Sequence, residues 1–174
     1  RLIEISGIIL SLVGALLLIA LISYSPTDPN FIFPENAEIK NLLGFQGSYI
    51  SDLFLQSLGL ISFLIPVTFI FSGINIFKKK EFFLIFENFF YIVIYSLIGS
   101  FFFSYFYNQT FSLYINGNGG FVGNYINQTF LNNIINAHES IFYYLLIILV
   151  AIVFLISINF TPKNFINFVK KINT

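Results

Sequence analysis

The chain has 174 residues, 57% hydrophobic and 9% charged, and its eight basic and eight acidic residues cancel to zero net charge. A water-soluble domain carries about 25% charged residues, so a surface this poor in charge is solvated by lipid, and nucleic acid finds no electrostatic footing on it. The absence of cysteine excludes disulfides, thiolate metal sites and cysteine nucleophiles. One membrane domain is the expected count for this length, and a chain that opens on Arg1 with no methionine reads as a piece of something longer.

Residues 5–24 form the first expected span, uncharged and about the 20 residues needed to cross hydrocarbon. Gly7, Ser11 and Ala15 fall four apart with Gly14 beside them, a small-residue stripe on which a neighbouring helix can approach closely. The run is too long for a signal peptide and no small-residue cleavage site follows it. It ends at Ser23-Tyr24-Ser25-Pro26-Thr27-Asp28-Pro29, where each proline disfavours helix in the residue before it and Asp28 and Thr27 can bond the turn backbone. The external segment 25–52 is polar and broken again at Gly44 and Gly47; Ser48 or Ser51 is expected to cap a helix with Asp52 in its first turn. The second span, 53–77, carries Pro66 near its middle, which removes one backbone hydrogen bond and is expected to bend the helix.

Lys78-Lys79-Lys80 is the compact block of charge, in a loop (78–81) that the positive-inside bias holds in the cytoplasm. In the third span, 82–107, Glu87 lies one turn inside and is expected to pair with Lys80 or another loop lysine at the interface and not to relay protons. Ser96, Ser100 and Ser104 make a second small-residue stripe. The external segment 108–139 contains no lysine or arginine and opens with turn chemistry around Asn116-Gly117-Asn118-Gly119-Gly120. Apolar residues then recur at helical spacing from Phe121 to Ile135, which predicts a short amphipathic helix on the membrane face or against the bundle. The fourth span, 140–160, ends at Thr161-Pro162, and Lys163, Lys170 and Lys171 mark a cytoplasmic exit. With Arg1 and the loop lysines these put seven basic residues on one side and only Lys40 on the other. The expected fold is therefore an all-α integral membrane domain with four transmembrane helices, both termini inside (N-in/C-in), and a short amphipathic helix in the second external segment.

No catalytic, cofactor-binding or metal constellation emerges. His138 and Glu139 are adjacent and point about 100° apart on a helix, and no further histidine or cysteine completes a zinc site. The glycines from Gly117 to Gly123 follow no strand and precede no Lys-Ser/Thr pair, so they make no phosphate loop. A transporter or pore subunit is the competing class; it requires a water-filled path, for which Ser96, Ser100, Ser104 and Glu87 are the available lining, whereas the spans are otherwise apolar at mid-membrane.

The order of these pieces resembles a known family. The turn Tyr24-Ser25-Pro26-Thr27-Asp28-Pro29, the glycines Gly44 and Gly47, the Ser48–Leu53 start of a proline-containing span, and Gly119-Gly120-Phe121-Val122-Gly123 before the last span look like the N-terminal four-span membrane domain of the FtsK/SpoIIIE DNA translocases. The chain departs from that pattern at Ala137-His138-Glu139-Ser140, where the family usually has further glycines. The resemblance implies an inner-membrane anchor at the bacterial division septum, linked to a cytoplasmic ATPase motor, hexameric in the full-length protein, that moves chromosomal DNA. It implies ATP and magnesium in that motor and no cofactor in this chain. The implied partners are the lipid bilayer, other division proteins through the external segments and spans, and further copies of itself, with no direct nucleic-acid contact by this domain.

Overall fold

A computed structural model describes residues 1–29, 38–108 and 115–160, and the described residues are helices and turns without a strand. Lys163, Lys170, Lys171 and the Thr161-Pro162 stop lie outside them. The helices are α1 (Leu2–Ile22), α2 (Gly44–Leu58), α3 (Leu64–Lys79), α4 (Leu84–Phe106), α5 (Gly120–Asn127), α6 (Leu131–Ala137) and α7 (Glu139–Ser157), with a 3-10 segment, Gly59–Phe63, between α2 and α3. Among the described residues four stretches are long and apolar enough to cross a membrane: Leu2–Ile22, Gly44–Lys79, Leu84–Phe106 and Glu139–Ser157.

The helices associate as two pairs. α1 lies against α3 along the small stripe, where a Cβ on Gly7 would come within 2.6 Å of the Gly73 carbonyl oxygen and one on Gly14 within 2.9 Å of that of Pro66. Gly14, buried, continues this line; Ala15 is only half-buried. Ser11 Oγ donates to the Ile70 carbonyl at 3.1 Å across the same contact. α4 packs on α7 around Phe101, Phe102 and Leu146, with Ile135 of α6 closing the cluster. A second core of Leu17, Leu21, Leu55, Ile61, Ile65, Ile92 and Tyr95 joins the pairs.

The second span differs from expectation in where it breaks. Pro66 is the third residue of α3, so its missing N–H is one of the first-turn donors that no helix satisfies, and it bends nothing. The break is at Gly59, at φ 72° and ψ −147°, a left-handed geometry that glycine adopts without a Cβ penalty. Backbone groups at the break find partners nearby. Leu60 N–H donates to the Asn118 carbonyl at 2.9 Å, Ser62 Oγ to Phe54 O at 2.8 Å, and Ser100 Oγ to Leu58 O at 2.8 Å. The 3-10 segment and α3 together rise about 34 Å, enough to cross hydrocarbon, which leaves α2 as an extension beyond the span.

The helix start also moves. α2 begins at Gly44 with no side-chain cap, and Ser48, Ser51 and Asp52 are buried within it, because each is used by the preceding turn and not by the helix end. Two substitutions separate the two readings of the break. Gly59→Ala is expected to lose about 3 kcal/mol from the forbidden φ and from overlap with the Asn118 carbonyl. Pro66→Ala is expected to lose under about 1.5 kcal/mol, with helicity unchanged. Thermal unfolding followed by circular dichroism in detergent checks both; the reverse ranking would return the break to Pro66.

Candidate functional site

The end of the bundle opposite the lysine block carries most of the specific chemistry. After α1, the chain turns through Tyr24, Ser25, Pro26, Asp28 and Pro29. Asp28 is buried, and its two carboxylate oxygens accept the backbone N–H groups of Lys40 at 2.9 Å and Asn41 at 2.8 Å. Asn41 in turn donates to the Ala20 carbonyl at 2.9 Å, and its amide oxygen accepts the Leu43 N–H at 3.1 Å. Ser48 Oγ donates to Pro29 O at 2.7 Å and Tyr24 OH to Asp52 Oδ1 at 3.0 Å. One carboxylate thus closes the segment between α1 and α2 onto the bundle, since charge-assisted bonds to buried amides are the strong ones.

The second external segment docks through glycine. Gly119 and Gly123 lie on α4: a Cβ on Gly119 would sit 2.5 Å from Ser100 O and 2.5 Å from Ser104 Cβ, and one on Gly123 2.6 Å from the Ser100 carbonyl carbon. Gly120, at φ 63°, would meet the Gly59 nitrogen at 2.6 Å. The serine stripe of α4 is therefore the seat of this turn: Ser104 Oγ donates to Asn124 Oδ1 at 2.7 Å, while Ser96 Oγ is buried without a partner. The expected single amphipathic helix is two, α5 and α6, broken at 128–130. Of the two placements expected for it, α5 does not turn its aromatic face to the bundle: the glycine and asparagine side is inward and Phe121 and Tyr125 are exposed.

Sequence reasoning missed a polar seam within the spans. Thr68 shares hydrogen bonds with Tyr95 OH and Ser157 Oγ, both at 3.1 Å. Asn75 Nδ2 donates to Ile158 O at 3.0 Å, Asn88 Nδ2 to Ser72 Oγ at 2.5 Å, and Asn159 Nδ2 to Asn88 Oδ1 at 3.3 Å. The available signal was the spacing of Thr68, Ser72 and Asn75, which is one face of a helix. These groups bond one another, Ser100 and Ser104 are covered by α2 and α5, and Glu87 is exposed; the four groups named for a water path do not line one.

At the other end Lys78, Lys79 and Lys80 are exposed. Lys80 Nζ pairs with Glu4 Oε1 at 2.8 Å, not with Glu87, because the first turn of α1 lies beside the end of α3. The Glu4 carboxylate holds the Lys80 ammonium above its usual range. His138 and Glu139 are exposed at the α6–α7 junction.

The family described as the 4TM region of DNA translocase FtsK/SpoIIIE matches residues 1–170. Relatives named DNA translocase FtsK include that of Rickettsia bellii, 34% identical over 77 residues (44% of this chain, 10% of the relative). Those of Caulobacter vibrioides (40% over 69 residues; 40% and 8%) and Shewanella oneidensis (33% over 82 residues; 47% and 9%) are similar. The matches span about a tenth of the length of these relatives. No solved structure matches the chain.

The Asp28 clamp is testable directly. Asp28→Ala leaves two amides without their acceptor, and at about 1.5 kcal/mol or more for each bond to a charged group the expected loss is about 3 kcal/mol. Amide exchange at Lys40 and Asn41 should accelerate; unchanged exchange at both would show that the carboxylate does not hold this segment.

Proposed function

The chain belongs to the 4TM family of the FtsK/SpoIIIE DNA translocases, and from that premise we propose that it is the membrane anchor and septum-targeting domain of a translocase acting in cell division and chromosome segregation. The observation that carries this reading is the family match over residues 1–170. The domain sits in the bacterial inner membrane with both termini in the cytoplasm and external segments 25–52 and 108–139 outside. The sequence supports that orientation through the exposed Lys78, Lys79 and Lys80 and through Lys163, Lys170 and Lys171, all on one side by the positive-inside bias.

DNA, ATP and magnesium belong, on this reading, to a cytoplasmic motor outside these residues, hexameric in the full-length protein; this chain holds no cofactor and touches no nucleic acid. Its own contacts are with lipid, with other copies, and with division proteins through its external segments and spans. A zero net charge agrees with a domain that leaves DNA to another part.

Two measurements test the reading. Fused to a fluorescent protein in dividing bacteria, the chain should concentrate at midcell; an even distribution around the membrane would remove the targeting role. Because the chain has no cysteine, Leu42→Cys and Lys79→Cys each present one thiol. A membrane-impermeant maleimide applied to intact spheroplasts should label the first at once and the second only after permeabilisation, and the opposite pattern would invert the topology.

A further inference from the structure

The outward face of α5 is built inside-out for a water-exposed loop. Its asparagines turn toward the bundle: Asn124 accepts from Ser104 at 2.7 Å and donates to the Asn116 carbonyl at 2.8 Å, and Asn127 Oδ1 is buried, without a hydrogen-bond partner among the described residues. Its aromatic side chains point away, Phe121 62% exposed and Tyr125 66%, their rings stacked at 6.4 Å. Phe130, just beyond, is 71% exposed. Large apolar side chains presented on this scale with the amides turned inward are what an apolar solvent selects.

Depth identifies that solvent. α5 is seated on Ser100 and Ser104, which lie about 24 and 30 Å along α4 from Leu84 at 1.5 Å per residue, at the edge of a hydrocarbon core about 30 Å thick. Ile135 of α6 packs with Phe101, Phe102 and Leu146, and Leu146 is about 10 Å into α7 from Glu139. The level also holds tyrosines whose hydroxyls find polar partners at the rim, Tyr107 with Tyr143 at 2.8 Å and Tyr105 with Asn136, as aromatic residues do at a membrane interface. Segment 108–139 has no lysine or arginine, so the attraction is apolar and not to anionic headgroups.

We propose that the α5 face formed by Phe121 and Tyr125, extended by Phe130, is embedded in the acyl-chain boundary of the outer leaflet, making the second external segment a lipid-inserted element and not a free loop. The consequence for the reading above is that a partner outside the cell membrane would meet Asn133, His138 and Glu139, which are exposed, and not the α5 aromatics.

The chain has no tryptophan, so Phe121→Trp and Tyr125→Trp are single reporters, and Phe130→Trp reads the same face independently. In phosphatidylcholine vesicles, brominated acyl chains should quench each several-fold, bromine near the carbonyl end more than bromine near the methyl end, while acrylamide quenches little. Acrylamide quenching close to that of free tryptophan, with no effect of bromine, would overturn the proposal in favour of water. Shielding from both quenchers would overturn it in favour of a second copy covering the face. Both leaflets carry the brominated lipid, so the result stands apart from the topology and targeting tests.

Discussion

The bundle depends on how it satisfies the broken backbone of its second span. Hydrocarbon offers no hydrogen bonds, so each unpaired N–H or C=O there costs several kcal/mol. The Leu60 N–H finds its acceptor in Asn118, 58 residues on in sequence, and Leu58 O finds its donor in Ser100 of α4. Two elements distant in the chain, the Asn118 turn and α4, must therefore be in place before α2 and α3 can separate at Gly59. That requirement fixes the glycines: Gly59, Gly119 and Gly120 meet backbone against backbone, and any Cβ there would push the suture apart.

Elsewhere two other means of association divide the work. Between α1 and α3 it is contact distance: Gly7, Gly14 and Gly73 let the helices touch through their backbones, which gains dispersion in a solvent where apolar burial gains nothing. Between the pairs it is hydrogen bonding, through Thr68, Ser72, Asn75, Asn88, Tyr95 and Ser157. Each such bond in a membrane is worth only about 0.6 kcal/mol on average. The seam is consequently better at fixing one register of α3, α4 and α7 than at holding them by strength.

Composition and the lysine block made the four spans legible, because lipid solvation acts on every residue of a helix at once. The stop after α1 was legible too, since proline acts locally, whereas the partners of Asp28 lie 12 and 13 residues on, at Lys40 and Asn41, and were not. What sequence left hidden was non-local. Pro66 drew the bend to itself by a local rule, while the real break at Gly59 is determined by an acceptor in another segment. Ser48 and Ser51 looked like caps and Asp52 like a first-turn acid because their partners, Pro29, Asn41 and Tyr24, lie in the preceding segment. The α5 periodicity was legible and its direction stayed open between membrane face and bundle: periodicity locates an apolar face, and only the environment decides whether that face turns to the core or to lipid. The seam was missed because its members are scattered over some 90 positions and each alone resembles a tolerated polar residue.

On the proposed reading, load from a cytoplasmic motor enters at the C-terminal end of α7. That helix has the most lipid-facing surface of the four spans, so its apolar contacts alone resist sliding poorly. Its cytoplasmic end is where it is tied: Ser157 to Thr68, Ile158 O to Asn75, Asn159 to Asn88. These bonds run to α3 and α4 together, so a pull on α7 is shared by both pairs instead of peeling one helix from α4. α3 then passes it to α1 through backbone contact, and at the far end Tyr24, Asp52, Gln56 and Asn116 link α1, α2 and the second external segment. The spans thus form one mechanical unit, with polar ties at both ends, the Thr68–Tyr95 bond between them, and small-residue and apolar packing along the rest.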